Sequence, residues 1–311
     1  MIRYVAARLI QIVPVLFGVS VIVFLLVRLI PGDPAIAILG SRASPELIAR
    51  VHEQYGLNKP IWEQYLSWVI NALHGNFGAS FFYQDEVFGL TLERLPLTLE
   101  LLTYAAVLGL VIAIPFATVA AMRRGGLVDQ LLRLAFSASL GVPSFWLGII
   151  LILIFSLELR IFPAAGPGDG LLDTVWHLSL PALTIALAMS PLLFRALRSS
   201  LIEVLPADYV MTGRAAGLRS STLLWSYILR NSFLPLVTVL SINMGWMIGG
   251  TVVVETVFGL PGIGSLLINS ISTRDYTIIQ LVTLILAMIV VLVNLATDVL
   301  YALLDPRVSL R

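Results

Sequence analysis

Cysteine is absent from the chain, which excludes disulfides, thiol chemistry and cysteine-ligated metal sites. Lysine is nearly absent too. Lys59 is the only one and follows Asn58, so no G-x-x-x-x-G-K-[ST] phosphate loop exists and the chain is not itself a P-loop ATPase. Histidine is limited to His52, His74 and His177, spread over segments expected outside the cytoplasm. They form neither an H-E-x-x-H zinc helix nor a Ser/His/Asp arrangement, and read as surface or interfacial residues. With 12% charged residues, a formal net charge of +1 and no basic run interleaved with aromatics, nothing points to nucleic acid. Solenoid repeats and low-complexity tracts are also missing.

What the chain has is apolar length. Its 311 residues are 59% hydrophobic with a mean hydropathy of +0.97, which marks an all-α integral membrane protein. Six runs suffice to cross a bilayer, which takes about 20 residues: Leu9 to Val27, Leu97 to Ala121, Leu131 to Leu157, Leu178 to Phe194, Phe233 to Val254 and Thr277 to Leu300. The first is followed by Pro31-Gly32-Asp33-Pro34 rather than a small-residue cleavage site, so it reads as an uncleaved anchor. The chain divides into a tail and first span (1–30), an extracytoplasmic insertion (31–96), a five-span core (97–304) and a tail (305–311).

The insertion is patterned as two short helices. Ser44-Pro45-Glu46 supplies an N-cap, an N1 proline and an early acidic residue, and Pro60 opens an amphipathic stretch stopped at Gly75. Trp62, Tyr65 and Trp68 are expected as interfacial anchors. Near the span ends, Arg3, Arg8, Arg123, Arg124, Arg195, Arg198, Arg214, Arg219, Arg230, Arg307 and Arg311 fall on one side. The opposite short loops hold only Arg160 and Arg274, which places both termini in the cytoplasm.

The longest polar interval on the arginine-rich side, 195–235, holds the principal candidate site. Asp208 to Leu218 reads as a short helix stopped by Gly217 in the C′ position, followed by a helix over Thr222 to Phe233 capped by Ser220 or Ser221. With Gly213, Ala215 and Ala216 on its surface and Arg214 and Arg219 nearby, the first helix is thin enough to enter a groove on another protein. A second candidate is the fifth span, where Asn243, Gly245, Gly249 and Gly250 form a small, partly polar side. Gly245-x-x-x-Gly249 suits either a neighbour within the chain or another subunit. Glu255 closes that span and reads as an outer-interface carboxylate held by a turn, with a gate or partner contact as the alternative. Asn294 and Asp298, one turn apart on the last span, read as interhelical hydrogen-bonding groups, with a substrate contact as the alternative. No series of carboxylates runs through the spans, which argues against an ion-coupled secondary transporter with its own relay.

An ordered set of short motifs carries a resemblance over the whole chain. It includes Arg28 to Pro34, Tyr55 to Pro60, Gly75 to Ser80, Leu95 to Leu101, Val142 to Trp146, Phe162-Pro163, Asp208 to Leu218, Glu255 to Gly264, Arg274-Asp275-Tyr276 and Asp305 to Arg307. In this set the chain resembles the B-type permease subunit of dipeptide/oligopeptide ABC importers. The resemblance implies a type I importer fold, a C-type permease partner, two ATPase subunits that bind ATP and Mg, and an extracytoplasmic solute-binding protein. It implies no cofactor in this chain, no enzymatic activity of its own, and a bacterial or archaeal cytoplasmic membrane. Other cargoes of the same class, namely glutathione, nickel chelates or oligosaccharides, remain alternatives, as does a secondary transporter. Asp208, Tyr209, Thr212, Arg214, Ala215, Ala216, Gly217 and Leu218 correspond to the ATPase-coupling helix of the EAA motif. Gly217 matches the motif glycine. Met211-Thr212-Gly213 stands in place of Glu-Ala-Ala, and Arg230 in place of the later proline.

Overall fold

The computed structural model describes residues 2–29, 44–54, 56–80 and 82–304. The motif residues Ile30 to Pro34, Tyr55 and Asp305 to Arg307, together with Arg311 and the side chains of Arg3, Arg8 and Asp298, lie outside the described residues. Among the described residues the fold is all-helical, with one isolated antiparallel bridge between Ala79 and Glu86.

The helices are α1 (Ile2–Leu29), α2 (Pro45–Gln54), α3 (Ile61–Leu73), α4 (Val87–Met122), α5 (Leu127–Ser139), α6 (Ser144–Glu158), α7 (Leu171–Val204), α8 (Asp208–Ala215), α9 (Ser220–Val257), α10 (Ile263–Thr273) and α11 (Tyr276–Leu304). The end of α6 and the Leu223–Leu229 stretch of α9 are wound as π-helix. Four of these, α4, α7, α9 and α11, are long and apolar enough to cross a membrane, and α5 with α6 makes a bent fifth. In α1 the apolar stretch with described side chains is Ile12–Leu26. The 34 residues of α7 extend about 51 Å at 1.5 Å per residue, longer than the roughly 30 Å that a hydrocarbon layer requires.

Three boundaries differ from the sequence reading. The span expected over Leu131 to Leu157 is broken: α5 and α6 meet at 105°. Gly141 and Pro143 sit in the break, and the residue before a proline is driven out of the helical region. The span expected from Leu97 begins at Val87, with Pro96 inside the helix. The helix expected over Thr222 to Phe233 does run into the fifth span, but its start differs: α9 begins at Ser220 with Arg219 as its N-cap, and neither Ser220 nor Ser221 supplies a capping hydrogen bond.

Two compact units are resolved by packing. One comprises residues 99–260 and 292–304 and is built on α7 packed against α9. Pro181 and Pro191 lie inside α7. The Leu187 carbonyl, which loses its amide partner at Pro191, accepts the Ser190 hydroxyl at 3.3 Å. The same unit contains a buried ion pair. Arg198 on α7 grips Asp129 on α5 through two hydrogen bonds of 2.7 and 2.6 Å, and the Gly125 amide donates a third at 3.0 Å.

The other unit comprises the described residues within 2–98 and residues 261–291. Its core is Val87, Ile263, Leu266, Ile278, Leu281 and Val282. Sequence motifs far apart in the chain meet here. Asp275, buried at the start of α11, accepts the Ser80 hydroxyl and the Phe82 and Ile278 amides. Thr98 accepts the Ile263 amide at 3.0 Å and so serves the first turn of α10. Ser44 N-caps α2, its hydroxyl accepting the Leu47 amide at 3.4 Å. Tyr65 and Trp68 are not free anchors. Tyr65 shares a 2.8 Å hydrogen bond with Ser20 and packs edge-on against Phe24 of α1, with Trp68 beside it, while Trp62 is exposed.

Candidate functional site

The segment between α7 and α9 is ordered by backbone geometry rather than by side-chain caps. Pro206 follows the end of α7, and the Ala207 carbonyl receives the Val210 and Met211 amides at 2.9 and 3.1 Å to start α8. Asp208 in its first turn and Arg214 in its last have the signs that suit the helix dipole. At its end Gly217 has φ of +75°. The Gly217 amide donates to the Arg214 carbonyl at 3.0 Å and the Leu218 amide to the Gly213 carbonyl at 3.1 Å, the paired bonds of a Schellman stop. Gly217 therefore occupies the C′ position that its sequence context indicates.

One face of α8 is fixed and the other is open. Val210 is 0% exposed, and Gly213 is buried, not on the free surface where the sequence reading put it. A Cβ at Gly213 would stand 2.8 Å from a terminal methyl of Leu223 and 3.2 Å from one of Leu218. The missing side chain is what lets α8 lie directly on the first turn of α9. Asp208, Tyr209, Met211, Thr212, Arg214, Ala215, Ala216, Gly217 and Leu218 remain exposed. Met211 and Arg214 also border a cleft of about 710 Å³ whose far wall includes Ser221 and Trp225 of α9. The 8-residue helix is thus clamped on one side and open on the other.

The second candidate region lies farther along α9. A Cβ placed on Gly245, Gly249 or Gly250 would meet nothing within 4 Å, so among the described residues no packing uses the G-x-x-x-G face. Ile242, Trp246 and Val253 fall on the same side of the helix at 100° per residue, and Trp246 is 80% exposed. Sequence inspection overlooked Trp246 and Ile242. Their helical register with the glycines was the available signal. Asn243 points elsewhere: it is buried and donates to the Val239 carbonyl of its own helix at 2.7 Å.

Glu255 is fully buried near the end of α9, where the Leu260 amide closes the turn on the Glu255 carbonyl at 2.9 Å. Asn294 on α11 accepts the Ser241 hydroxyl of α9 at 3.1 Å. The described residues hold no group of three or more His, Cys, Asp or Glu that could bind a metal ion. His74 and His177 each place Nδ1 against a backbone carbonyl, of Ile70 and Gly166.

Known proteins match over nearly the whole chain. Residues 113–310 fit the family described as binding-protein-dependent transport system inner membrane component, and residues 1–102 fit its N-terminal region. A probable peptide ABC transporter permease protein, y4tP, of Sinorhizobium fredii is 38% identical over 308 residues, covering 98% of each chain. The glutathione transport system permease protein GsiC of Escherichia coli K12 is 36% identical over 312 residues, covering 99% of each. A solved chain of the MetNI methionine ABC transporter in an inward-facing conformation superposes with a TM-score of 0.59 at 16% identity, covering 70% of this chain and 96% of that one. That likeness identifies the fold alone.

Proposed function

The chain belongs to the binding-protein-dependent transport system inner membrane components, and on that premise we propose that it forms half of the pathway of an ATP-driven importer of short peptides, driven through α8. It is a multi-pass permease subunit of an ABC importer. Cargo is assigned as peptide because a relative matched end to end is named for peptide transport. A relative named for glutathione at nearly the same identity keeps glutathione as a second reading.

The observation that carries the coupling role is the asymmetry of α8. Its inner face is seated on α9 through Gly213 and Leu223 and its stop is fixed at Gly217, while its outer face is open. A partner ATPase that grips the outer face moves α8 as a rigid piece, and the seat passes that movement to α9. Farther along, α9 presents Gly245, Gly249 and Trp246 to whatever lies beside it. In this account that neighbour is a C-type permease, or cargo in the pathway between the two subunits. ATP and Mg are bound by the ATPases, a solute-binding protein delivers cargo from outside, and both termini of this chain face the cytoplasm.

Gly217→Pro is the direct test. Proline cannot adopt the positive φ and has no amide to donate to Arg214, so it destroys the stop. The variant is expected to insert in the membrane at normal abundance and lose both uptake and retention of the ATPase. Normal transport by Gly217→Pro would remove α8 from the coupling role.

A further inference from the structure

We propose that two adjoining cavities between α5 and the end of α7 bind the phosphate headgroup of an anionic phospholipid. The cavities, of about 440 and 330 Å³, share Arg133 and Arg198 as common walls. Arg124 borders the first and Arg195 the second. Four arginines thus face two carboxylates, Asp129 and Glu203, leaving an excess of two positive charges.

The arginines divide into two kinds. Arg198 is committed to Asp129, which is 1% exposed, and Arg133 lies 3.8 Å from the same carboxylate. Arg124 and Arg195 have neither an ion pair nor a side-chain hydrogen bond among the described residues, and both are exposed. The Asp129–Arg198 pair therefore acts as a rigid floor, and the two uncommitted guanidiniums are the groups free to take an anion.

Below the charges the second cavity turns apolar. Phe136 of α5 stacks on Phe194 of α7 at 4.3 Å and 5°, and both rings line it. Arg124 follows the end of α4 at Met122, Arg133 lies on α5, and Arg195 and Arg198 lie in the last three turns of α7, just past its apolar run, where a spanning helix would leave the hydrocarbon for the headgroups. A ligand that meets guanidiniums at one end and aromatic rings at the other has a charged head on a hydrocarbon stem. Basic pockets between membrane helices recognise acidic lipid headgroups in this way. An acidic segment of a partner protein would satisfy the arginines but not the rings.

The test is native mass spectrometry of the full chain in mild detergent, offered equal amounts of phosphatidylglycerol and phosphatidylcholine. Phosphatidylglycerol is expected to be retained in preference, and Arg124→Gln with Arg195→Gln to reduce its retention by about tenfold. Arg124→Lys with Arg195→Lys should keep most of it. Glu203→Gln, which removes a competing negative charge without touching the Asp129 floor, should raise it, and this arm decides the matter if the double glutamine variant fails to fold. Equal retention of both lipids, or no response to the Arg124 and Arg195 changes and to Glu203→Gln, overturns the site. Displacement by inorganic phosphate reassigns it to a free anion, and displacement by an acidic peptide reassigns it to a protein partner; either result overturns the lipid assignment.

Discussion

At the scale of single residues, position 213 sets how closely α8 approaches α9. A methyl there meets only the mobile ends of Leu223 and Leu218, so Gly213→Ala is expected to retain transport with a small loss of stability. Gly213→Leu brings three further carbons into the same gap and should lift α8 from its seat, with loss of ATPase retention while the chain still inserts. If Gly213→Leu transports normally, the seat is not needed. Asp129 makes a separate prediction. Asp129 is enclosed but Arg198 is partly exposed at a cleft, so removing the carboxylate costs about 1.5 kcal/mol, the worth of the lost charge-assisted hydrogen bonds. Asp129→Asn should lower the thermal unfolding midpoint of the detergent-solubilised chain, and Asp129→Leu with Arg198→Leu should recover part of the loss. Arg133, which is half exposed, contributes much less, and Arg133→Gln should leave the midpoint almost unchanged. A midpoint unmoved by Asp129→Asn would contradict the structural role of the pair.

At the scale of elements, α8 was legible because a helix ended by glycine obeys local rules: residues within one turn decide where it stops, and Gly217 is where they say. Long apolar stretches were legible for the same reason, since length and hydropathy are local sums. Non-local facts were not. The seat under Gly213 depends on Leu223, which the sequence presents only as one more apolar residue. The 105° turn between α5 and α6 had signals in Gly141 and Pro143, but continuous hydropathy on both sides hid it. The bond from Ser80 to Asp275 joins residues 195 apart, and no local pattern announces it.

The face of α9 that holds the open glycines also belongs to this scale. The chain has no cysteine, so single substitutions report cleanly. Gly249→Cys is expected to form an oxidative crosslink with a cysteine placed on the facing span of the C-type permease, whereas a cysteine at Met247, which is buried against its own chain, should not react. Crosslinking at position 247 with none at 249 would place the subunit contact on another face.

At the scale of the whole molecule, the sequence excluded more than it assigned. The chain has no P-loop motif for ATP, and in the proposed account the ATPase is a separate subunit. The proposal rests on two features of neighbouring elements: α8, clamped on one side and open on the other, and a glycine face farther along α9 that no described residue covers. Uptake should therefore belong to an assembly. The most direct measurement is gentle purification of the tagged chain from its native membrane, identification of the proteins that accompany it, and reconstitution with and without ATP. The account predicts a second permease, ATPases and a solute-binding protein carrying peptide, with uptake only when ATP is supplied. Recovery of the chain alone, still transporting without ATP, would contradict it and make the protein a secondary carrier.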